Sequence, residues 1–302
     1  MIKYINYNCK TILNRTKPAG VDPFIGTVNP YTGCEHGCRY CYVQSEKYLP
    51  YKTPDELFYT VKIKDNAPAL LNYALEKTSQ GMICIGSSAD PYQPAEKEYL
   101  ITREILNIIN RHQFSVHIFT KSDLITRDLD ILKDLAKRVT VLVSFSIITL
   151  DKNIVDVFEP NAPEPKKRIN AMNKLSENGI TVGCSIMPIL PYITDKLDNP
   201  ADNGSLEELI RTVKSNGAKY VWSGCLTLRD KQRQRYESIL SDRFKPLIGK
   251  YRFLYSARIS PEEKYCNRLH YRIEELLDKY NLEHDFSVEN TLKVVQPEFS
   301  FV

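Results

Sequence analysis

The sequence predicts an α/β fold with a parallel β-sheet. Short β-rich runs recur along the chain, near residues 24–29, 82–86, 115–120, 139–146, 180–187 and 219–227. Between them lie segments with apolar residues at every third or fourth position, near 66–79, 98–111, 127–137, 164–178 and 205–216. Strands that alternate with helices form right-handed βαβ units and hence a parallel sheet. Six strands are too few for a closed eight-stranded barrel, so the pattern fits an open sheet or a partial barrel.

Local signals support the individual elements. The run VTVLVSFSII at 139–148 is almost continuously hydrophobic, as expected for a strand that is covered on both faces. Gly179 and Gly217 each follow an asparagine at the end of a helical segment, where a left-handed backbone favours glycine. Polar or special residues follow the strands, at 87–90, 120–122, 144, 146, 188 and 227. The functional site of a parallel α/β fold lies at these carboxyl ends, so we expect the chemistry there.

Three regions are expected along the chain. An N-terminal extension at 1–23 precedes a (βα)6 core at 24–228, and a mostly helical C-terminal extension at 229–302 packs on that core. The C-terminal extension predicts helices at 230–248 and 261–280 around a possible strand YRFLYSA, and its last residues are ambiguous.

Composition indicates an ordinary globular protein. The 302 residues include 41 Lys and Arg against 37 Asp and Glu, and the net charge of +4 is too small to argue for a nucleic-acid partner by itself. No apolar run approaches the roughly 20 residues of a membrane span, and the first residues lack the apolar region of a signal peptide. We therefore expect a cytoplasmic protein with no membrane partner.

Three of the eight cysteines crowd into the segment Cys34-Glu-His-Gly-Cys38-Arg-Tyr-Cys41. Soft thiolates with this spacing suit an iron–sulfur cluster, and three ligands leave the fourth iron of a cubane without a protein ligand. The competing interpretation is a zinc site with His36 as fourth ligand, although a histidine inside so short a span has difficulty completing a tetrahedron.

The wider phrase NPYTGCEHGCRYCYV resembles the radical S-adenosylmethionine (SAM) superfamily, in particular the branch of spore photoproduct lyase and DNA repair photolyase-like proteins. Further phrases agree in order: GSSADPYQPAE, FTKSDLITRDLDIL, SIITLDKNIVDVFEPNAPEPKKRI and MPILP, at 86–96, 119–132, 146–169 and 187–191. The resemblance implies a partial (βα)6 TIM-like barrel with a helical C-terminal extension. It also implies a 4Fe–4S cluster, SAM as cofactor, and an external one-electron reductant such as flavodoxin or ferredoxin.

The resemblance assigns roles to individual residues. It makes Cys34, Cys38 and Cys41 the cluster ligands and places the backbone of Tyr40 against the adenine. Asp90 is the candidate for the methionyl ammonium. Lys121, Ser146 and Arg168 are candidates for the carboxylate or ribose, and a planar guanidinium suits a carboxylate. The alternatives are that Lys121 is a solvated strand-end charge, that Ser146 is merely tolerated, and that Arg168 belongs to an exposed basic run.

The catalytic candidates are Tyr42 and Cys84. Tyr40 and Tyr42 bracket the last cysteine and resemble the tyrosines of the hydrogen-transfer relay of spore photoproduct lyase. Ser87, however, stands where that enzyme has its hydrogen-donating cysteine. Strand alternation predicts that Cys84 points away from Ser87. Cys84 serves as a hydrogen donor if it faces the barrel interior, and the same holds for Cys184 and Cys225. The alternative for each of the three is a buried structural thiol.

The resemblance implies reductive cleavage of SAM to a 5′-deoxyadenosyl radical that abstracts hydrogen from a substrate. Nucleic acid or a nucleotide is the leading substrate class, and modification of a peptide or small molecule is the alternative. A non-catalytic zinc or Fe–S module that binds nucleic acid is the third hypothesis. Tyrosines near the expected mouth (Tyr31, Tyr42, Tyr48, Tyr51 and Tyr92) suit base stacking or peptide packing, or belong to core and surface. The basic run 229–235 suits phosphates or is a solvated helix face.

Overall fold

The computed structural model describes residues 1–15, 24–196 and 204–284. The end of the N-terminal extension and the ambiguous C-terminal tail lie outside these ranges. The strands are β1 (Lys3–Asn6), β2 (Leu13–Arg15), β3 (Phe24–Val28), β4 (Tyr31–Thr32), β5 (Thr60–Ile63), β6 (Met82–Ile85), β7 (Ser115–Thr120), β8 (Val141–Ser146), β9 (Thr181–Ile189), β10 (Tyr220–Cys225) and β11 (Glu283–His284). All six strands expected from the sequence are present, with bounds that differ by no more than two residues from the expected ones.

The main sheet has the order β2-β3-β6-β7-β8-β9-β10-β11. Every neighbouring pair in it is parallel except β2 and β3. Six consecutive parallel strands with crossover helices form the partial (βα)6 TIM-like barrel that the sequence and its resemblance predict. A small second sheet, in the order β1-β5-β4, includes the first strand of the chain. The N-terminal extension thus contributes one strand to each sheet.

Eleven α-helices lie in the described ranges: α1 (Pro54–Tyr59), α2 (Ala67–Leu75), α3 (Glu96–Tyr99), α4 (Ile101–His112), α5 (Leu129–Ala136), α6 (Lys152–Phe158), α7 (Pro165–Glu177), α8 (Gly204–Ser215), α9 (Asp230–Arg243), α10 (Ile248–Tyr255) and α11 (Glu263–Tyr280). Short 3-10 turns occur at Tyr42–Gln44, Asp123–Asp128 and Lys245–Leu247. Helix α7 illustrates the local signals, since Pro165 occupies its first position and Gly179 follows it with φ of +80°. No helix of the described chain is long and apolar enough to cross a membrane.

The amino end of the barrel is filled by side chains. Met82, Leu142 and Tyr220 form a buried cluster between the strands. Beside it, His117 is fully buried, and its Nε2 lies 2.8 Å from Ser144 Oγ. Burial lowers the pKa of His117 to about 3, so this imidazole is neutral at physiological pH. Among the described residues, this end of the barrel is thus occupied by packed side chains.

The prediction of a strand at YRFLYSA is wrong, because this segment lies in α10 and the residues after it. Tyr251, Leu254 and Tyr255 are buried, whereas Phe253 is 77% exposed. Burial at intervals of three and four residues is the pattern of a helix rather than the two-residue period of a strand. The aromatic composition of the segment suited either structure, and packing against the core selected the helix.

Candidate functional site

A cavity of about 560 Å³ occupies the carboxyl end of the barrel. All six parallel core strands contribute to its wall, through Thr27, Cys84, Phe119, Ser146, Ser185 and Trp222 among others. The segment 33–41, which we call the cysteine loop, covers one side of it. Of the predicted site residues, Cys34, Cys38, Tyr40, Cys41, Tyr42, Cys84, Asp90, Lys121 and Ser146 line this cavity.

Backbone contacts, both within the loop and to the segment 57–60, shape the cysteine loop. The amide of Cys34 donates to the carbonyl of Leu57 at 2.9 Å, and the amide of Cys41 donates to that of Cys38 at 3.0 Å. Gly33 has φ of +91°, and a Cβ at this position would lie 2.1 Å from the carbonyl oxygen of Thr60. The close approach of two backbones explains why a glycine precedes the first cysteine.

The three thiols fit an iron–sulfur cluster in donor chemistry. None of the cysteines forms a disulfide, and burial raises the pKa of all three loop thiols, that of Cys38 to about 12. Buried thiolates therefore need a cation or metal to stabilise them. In the described residues, no three His, Cys, Asp or Glu side chains form a set close enough for a single metal ion. This finding concerns a single ion, whereas a cubane binds each thiolate through a different iron.

His36, inside the cysteine loop, lines the cavity and carries a buried polar atom. Its Nδ1 lies 3.4 Å from Asp90 Oδ2, and burial lowers the pKa of the imidazole. Its Nε2 has no hydrogen-bond partner within the described part of the chain. A buried polar atom without a partner costs free energy, so this position suits a polar group of a bound ligand.

Asp90 ties together the loops after β6 and β7. Its carboxylate accepts hydrogen bonds from the Thr120 hydroxyl at 2.7 Å, the Lys121 amide at 2.7 Å and the Tyr92 amide at 2.9 Å. With His36 at its other side, the carboxylate is surrounded by donors from its own chain. This arrangement positions the two loops and orients the His36 ring.

Arg168 lies behind the cavity wall rather than in it. The guanidinium forms an ion pair with Glu159 at 2.6 Å, with both side chains at 0% exposure. It also donates to the carbonyl oxygens of Ser146 at 2.8 Å and Pro163 at 2.7 Å. Glu159 in turn accepts a hydrogen bond from the Tyr40 hydroxyl. Arg168 is therefore placed to support Tyr40 and Ser146, two predicted cofactor contacts.

Lys121 brings a positive charge to the cavity. Its Nζ lies 5.8 Å from the centre of the Tyr40 ring. Burial disfavours its charged form, but the neighbouring Cys38 and Glu159 outweigh burial and raise the pKa of the ammonium. Lys121 is half-buried and lines the cavity, so the alternative of a fully solvated strand-end charge does not describe it.

Cys84 and Ser87 face the same cavity, so the expectation that they point to opposite sides is wrong. Strand β6 ends at Ile85, and Gly86 adopts φ of +92°, which breaks the strand alternation. The Tyr42 hydroxyl donates to the carbonyl oxygen of Ser87 at 2.6 Å. Burial of this hydroxyl raises the pKa of Tyr42, with smaller contributions from neighbours that include Cys41 and Cys84. Tyr42 and Cys84 thus lie in the same part of the wall.

The other two strand cysteines differ in position. Cys184 is fully buried and does not line the cavity. Cys225, at the end of β10, does line it, and burial together with the neighbouring Cys266 thiol raises its pKa. Helix α11 thus reaches the back of the cavity wall.

Sequence reasoning missed the polar side chains that hold the cysteine loop. Gln93 donates to the carbonyl of Gly33 at 3.1 Å and accepts from the amide of Glu35 at 3.0 Å. Gln232, from α9, donates to the carbonyl of Tyr40 at 2.9 Å. Both glutamines are buried. Gln93 lies within the phrase GSSADPYQPAE, which supported the resemblance without revealing what each residue contacts.

The tyrosines and the basic run have mixed roles. Tyr31 and Tyr92 are buried and donate to Glu96 and Asp128, so they belong to a structural network. Tyr42 and Tyr48 do form an edge-to-face pair, with ring centres 5.3 Å apart. In the basic run, Lys231 and Arg235 form ion pairs with Glu46 and Asp55. Arg233 donates to the carbonyl oxygens of Ser256 and Arg258, so these cations have partners within the chain, as a solvated helix face would.

Comparison with known proteins extends these findings. Residues 28–199 match the sequence model of the Radical SAM superfamily. An uncharacterised protein of Mycobacterium bovis is 29% identical over 280 residues, which cover 92% of this chain and 81% of that protein. An uncharacterised protein of Methanocaldococcus jannaschii is 36% identical over 196 residues, covering 64% and 70%.

Two solved structures share the fold. A spore photoproduct lyase mutant with bound AdoMet and dinucleoside spore photoproduct aligns with a TM-score of 0.66 at 14% identity, over 91% of this chain and 78% of that one. SuiB of Streptococcus suis bound to S-adenosylmethionine aligns with a TM-score of 0.53 at 14% identity, over 86% and 49%. The family match covers more than half of the sequence and contains the cysteine loop. The chain therefore belongs to the radical SAM superfamily.

Proposed function

We propose that this protein is a radical SAM enzyme that binds a 4Fe–4S cluster through Cys34, Cys38 and Cys41. The observation that carries the proposal is that these three thiols line one cavity together with the polar residues that follow neighbouring strands. A cluster held by these thiolates would supply one electron for the reductive cleavage of SAM to methionine and a 5′-deoxyadenosyl radical.

The residues around the cavity have complementary tasks in this proposal. The ammonium of Lys121, a half-buried residue of the cavity wall, attracts the methionyl carboxylate, and the backbone of Tyr40 contacts the adenine. Ser146 offers its hydroxyl to the ribose, with its carbonyl held by Arg168. Asp90 is the candidate for the methionyl ammonium. Its carboxylate also accepts three hydrogen bonds from its own chain and lies beside His36, so it orients that ring as well.

Tyr42 and Cys84 are the proposed route for a hydrogen atom to the substrate radical. Their common position in the cavity wall supports this role, and a thiol S–H is a much better hydrogen-atom donor than the hydroxyl of Ser87. Cys225, at the end of β10, is an alternative donor because it also lines the cavity.

The substrate proposal is a nucleic acid or nucleotide. Phe24, Phe119 and Trp222 form an apolar, aromatic part of the wall that suits the face of a base. A peptide substrate is the second candidate, favoured by the fold likeness to SuiB, one structure of which is bound to the precursor peptide SuiA. Steeply salt-dependent binding of DNA or RNA supports the first, and salt-independent or absent binding favours the second.

The test is anaerobic reconstitution with iron and sulfide, followed by chemical reduction with dithionite in the presence of SAM. We expect about four irons and four sulfides per chain and formation of 5′-deoxyadenosine. Replacing Cys34, Cys38 or Cys41 by alanine abolishes both, whereas Cys9→Ala, at a buried thiol outside the cavity, leaves both intact. One zinc per chain with no 5′-deoxyadenosine refutes the proposal in favour of a non-catalytic zinc module.

A further inference from the structure

The cysteine loop has a second accessible surface on the outside of the barrel. A cleft of about 320 Å³, the outer cleft, is lined there by Gly37, Arg39, Phe58, Tyr59, Asn161 and Arg235 among others. Gly37 and Arg39 come from the cysteine loop itself, and Arg235 comes from α9. The outer cleft therefore lies against the same loop as the cavity, on its other side.

The partition between the outer cleft and the cavity is thin. Gly37 and Phe58 line both spaces. Gly37 has no side chain and adopts φ of +64°, and an added Cβ would lie 3.2 Å from Asn161 Nδ2. The backbone at Gly37, between the first two cysteines of the loop, therefore forms part of the wall of both the cavity and the outer cleft. A redox group seated in the outer cleft is thus separated from the three thiols by little more than one chain segment.

The surroundings of the outer cleft are rich in residues that anchor protein interfaces. Arg39 is exposed, and its guanidinium makes no ion pair within the described ranges. Arg235 pairs with Asp55 at 2.8 Å, with exposures of 37% and 64%. Tyr59 is 56% exposed. Arginine and tyrosine are enriched at interface hot spots, and two cations against one anion leave a positive balance that complements an acidic partner.

We propose that the outer cleft is the docking surface for the external one-electron carrier, a small protein with an acidic face. This inference rests on the proposed function, in which SAM and substrate occupy the cavity, so that an electron has to arrive from the other side of the loop. One electron passes from the reduced carrier to the oxidised cluster. The carrier is left oxidised by one electron, and no bond or proton changes in this step.

The experiment uses the reconstituted protein and reduced flavodoxin, with a reduced ferredoxin as second carrier. Arg39→Glu reverses a charge at the outer cleft, and Asp55→Asn removes its acid. Arg111→Glu is the matched control, since Arg111 is exposed at the end of α4, next to the amino end of the following strand and thus at the opposite end of the barrel. Affinity is measured by calorimetry with the oxidised carrier, and cluster reduction is followed by loss of visible absorbance in a stopped-flow instrument.

At low ionic strength we expect Arg39→Glu to raise the carrier Kd and slow cluster reduction roughly tenfold, and Asp55→Asn to strengthen binding a few-fold. Both differences shrink at about 0.5 M salt because exposed charges are then screened. Equal behaviour of Arg39→Glu and Arg111→Glu overturns the docking surface, as does the failure of both carriers to bind. With dithionite, Arg39→Glu still yields 5′-deoxyadenosine. If the unmodified protein yields none with dithionite, the proposed function itself fails.

Discussion

The ion pair between Glu159 and Arg168 offers a direct test of how the cofactor side of the cavity is supported. Both side chains are fully buried, and the pair holds the Tyr40 hydroxyl on one side and the Ser146 carbonyl on the other. Glu159→Gln keeps the shape and an acceptor for Tyr40, but leaves the Arg168 guanidinium without a counter-charge. We expect this single change to be strongly destabilising.

The expected magnitude follows from burial. Removing one partner of a buried ion pair costs about 3–5 kcal/mol of unfolding free energy. With an unfolding entropy of about 2.1 cal/mol/K per residue, the 302 residues give about 0.6 kcal/mol/K. The melting temperature of Glu159→Gln should therefore fall by about 5–8 °C. Glu164→Gln is the control, because Glu164 is 58% exposed and lies 3.8 Å from Lys152, and such surface pairs contribute at most about 1 kcal/mol.

The pH dependence sharpens the test. Burial alone would raise the pKa of Glu159, but Arg168 and Lys121 outweigh it and lower the pKa below its ordinary value of 4.5. A carboxyl with a lowered pKa stabilises the fold above its unfolded value and loses that contribution as pH falls through its folded value. Calorimetric melting should thus show the full difference between the unmodified protein and Glu159→Gln at pH 7, and a shrinking one below pH 4.5. A difference below 1 kcal/mol at pH 7, or one that persists unchanged in acid, refutes this reasoning.

Three further changes test the supports of the cysteine loop and of the residues after β6. Gln93→Leu removes two buried hydrogen bonds to the loop, and we expect denaturant unfolding to show a loss of about 1–3 kcal/mol, with less iron retained after gel filtration. Asn29→Ala removes two side-chain hydrogen bonds to the segment after β6, those with Ser87 and Ser88 at 2.9 Å each. It should raise the SAM Kd roughly tenfold by calorimetry with iron content unchanged, and an unaltered Kd contradicts the prediction. Gln232→Leu should lower iron retention in the same assay as Gln93→Leu, whereas Gln234→Leu, on the exposed face of α9, should not.

The architecture and the cysteine loop were predictable because each depends on local patterns. Strand β7 has the predicted bounds of Ser115–Thr120, since a short hydrophobic run between polar loops permits few alternatives. The cysteine spacing carries its chemistry within eight residues. In both cases the information lies in one continuous segment of sequence.

Features that depend on distant contacts were less accessible. The sequence predicts Arg168 as a contact to the cofactor, with an exposed basic run as the alternative, whereas the side chain is buried in contact with Glu159 and the carbonyl of Ser146. Cys84 and Ser87 share the cavity because Gly86 interrupts the strand, which a simple alternation of faces does not include. A prediction from periodicity alone fails where the chain leaves a strand or helix, and functional residues are concentrated in the loops that begin there.

The C-terminal extension takes part in building the site. Gln232 binds the carbonyl of Tyr40, and Cys266 lies against Cys225 of the cavity wall. The extension also adds β11 to the barrel sheet through β10. Helix α9 carries both Gln232, which donates to the cysteine loop, and Arg235, which lines the outer cleft. The same helix therefore supports the loop and forms part of the proposed docking surface. A carrier that binds at the outer cleft therefore contacts an element that also fixes Tyr40, so docking and the geometry of the cofactor site are mechanically connected.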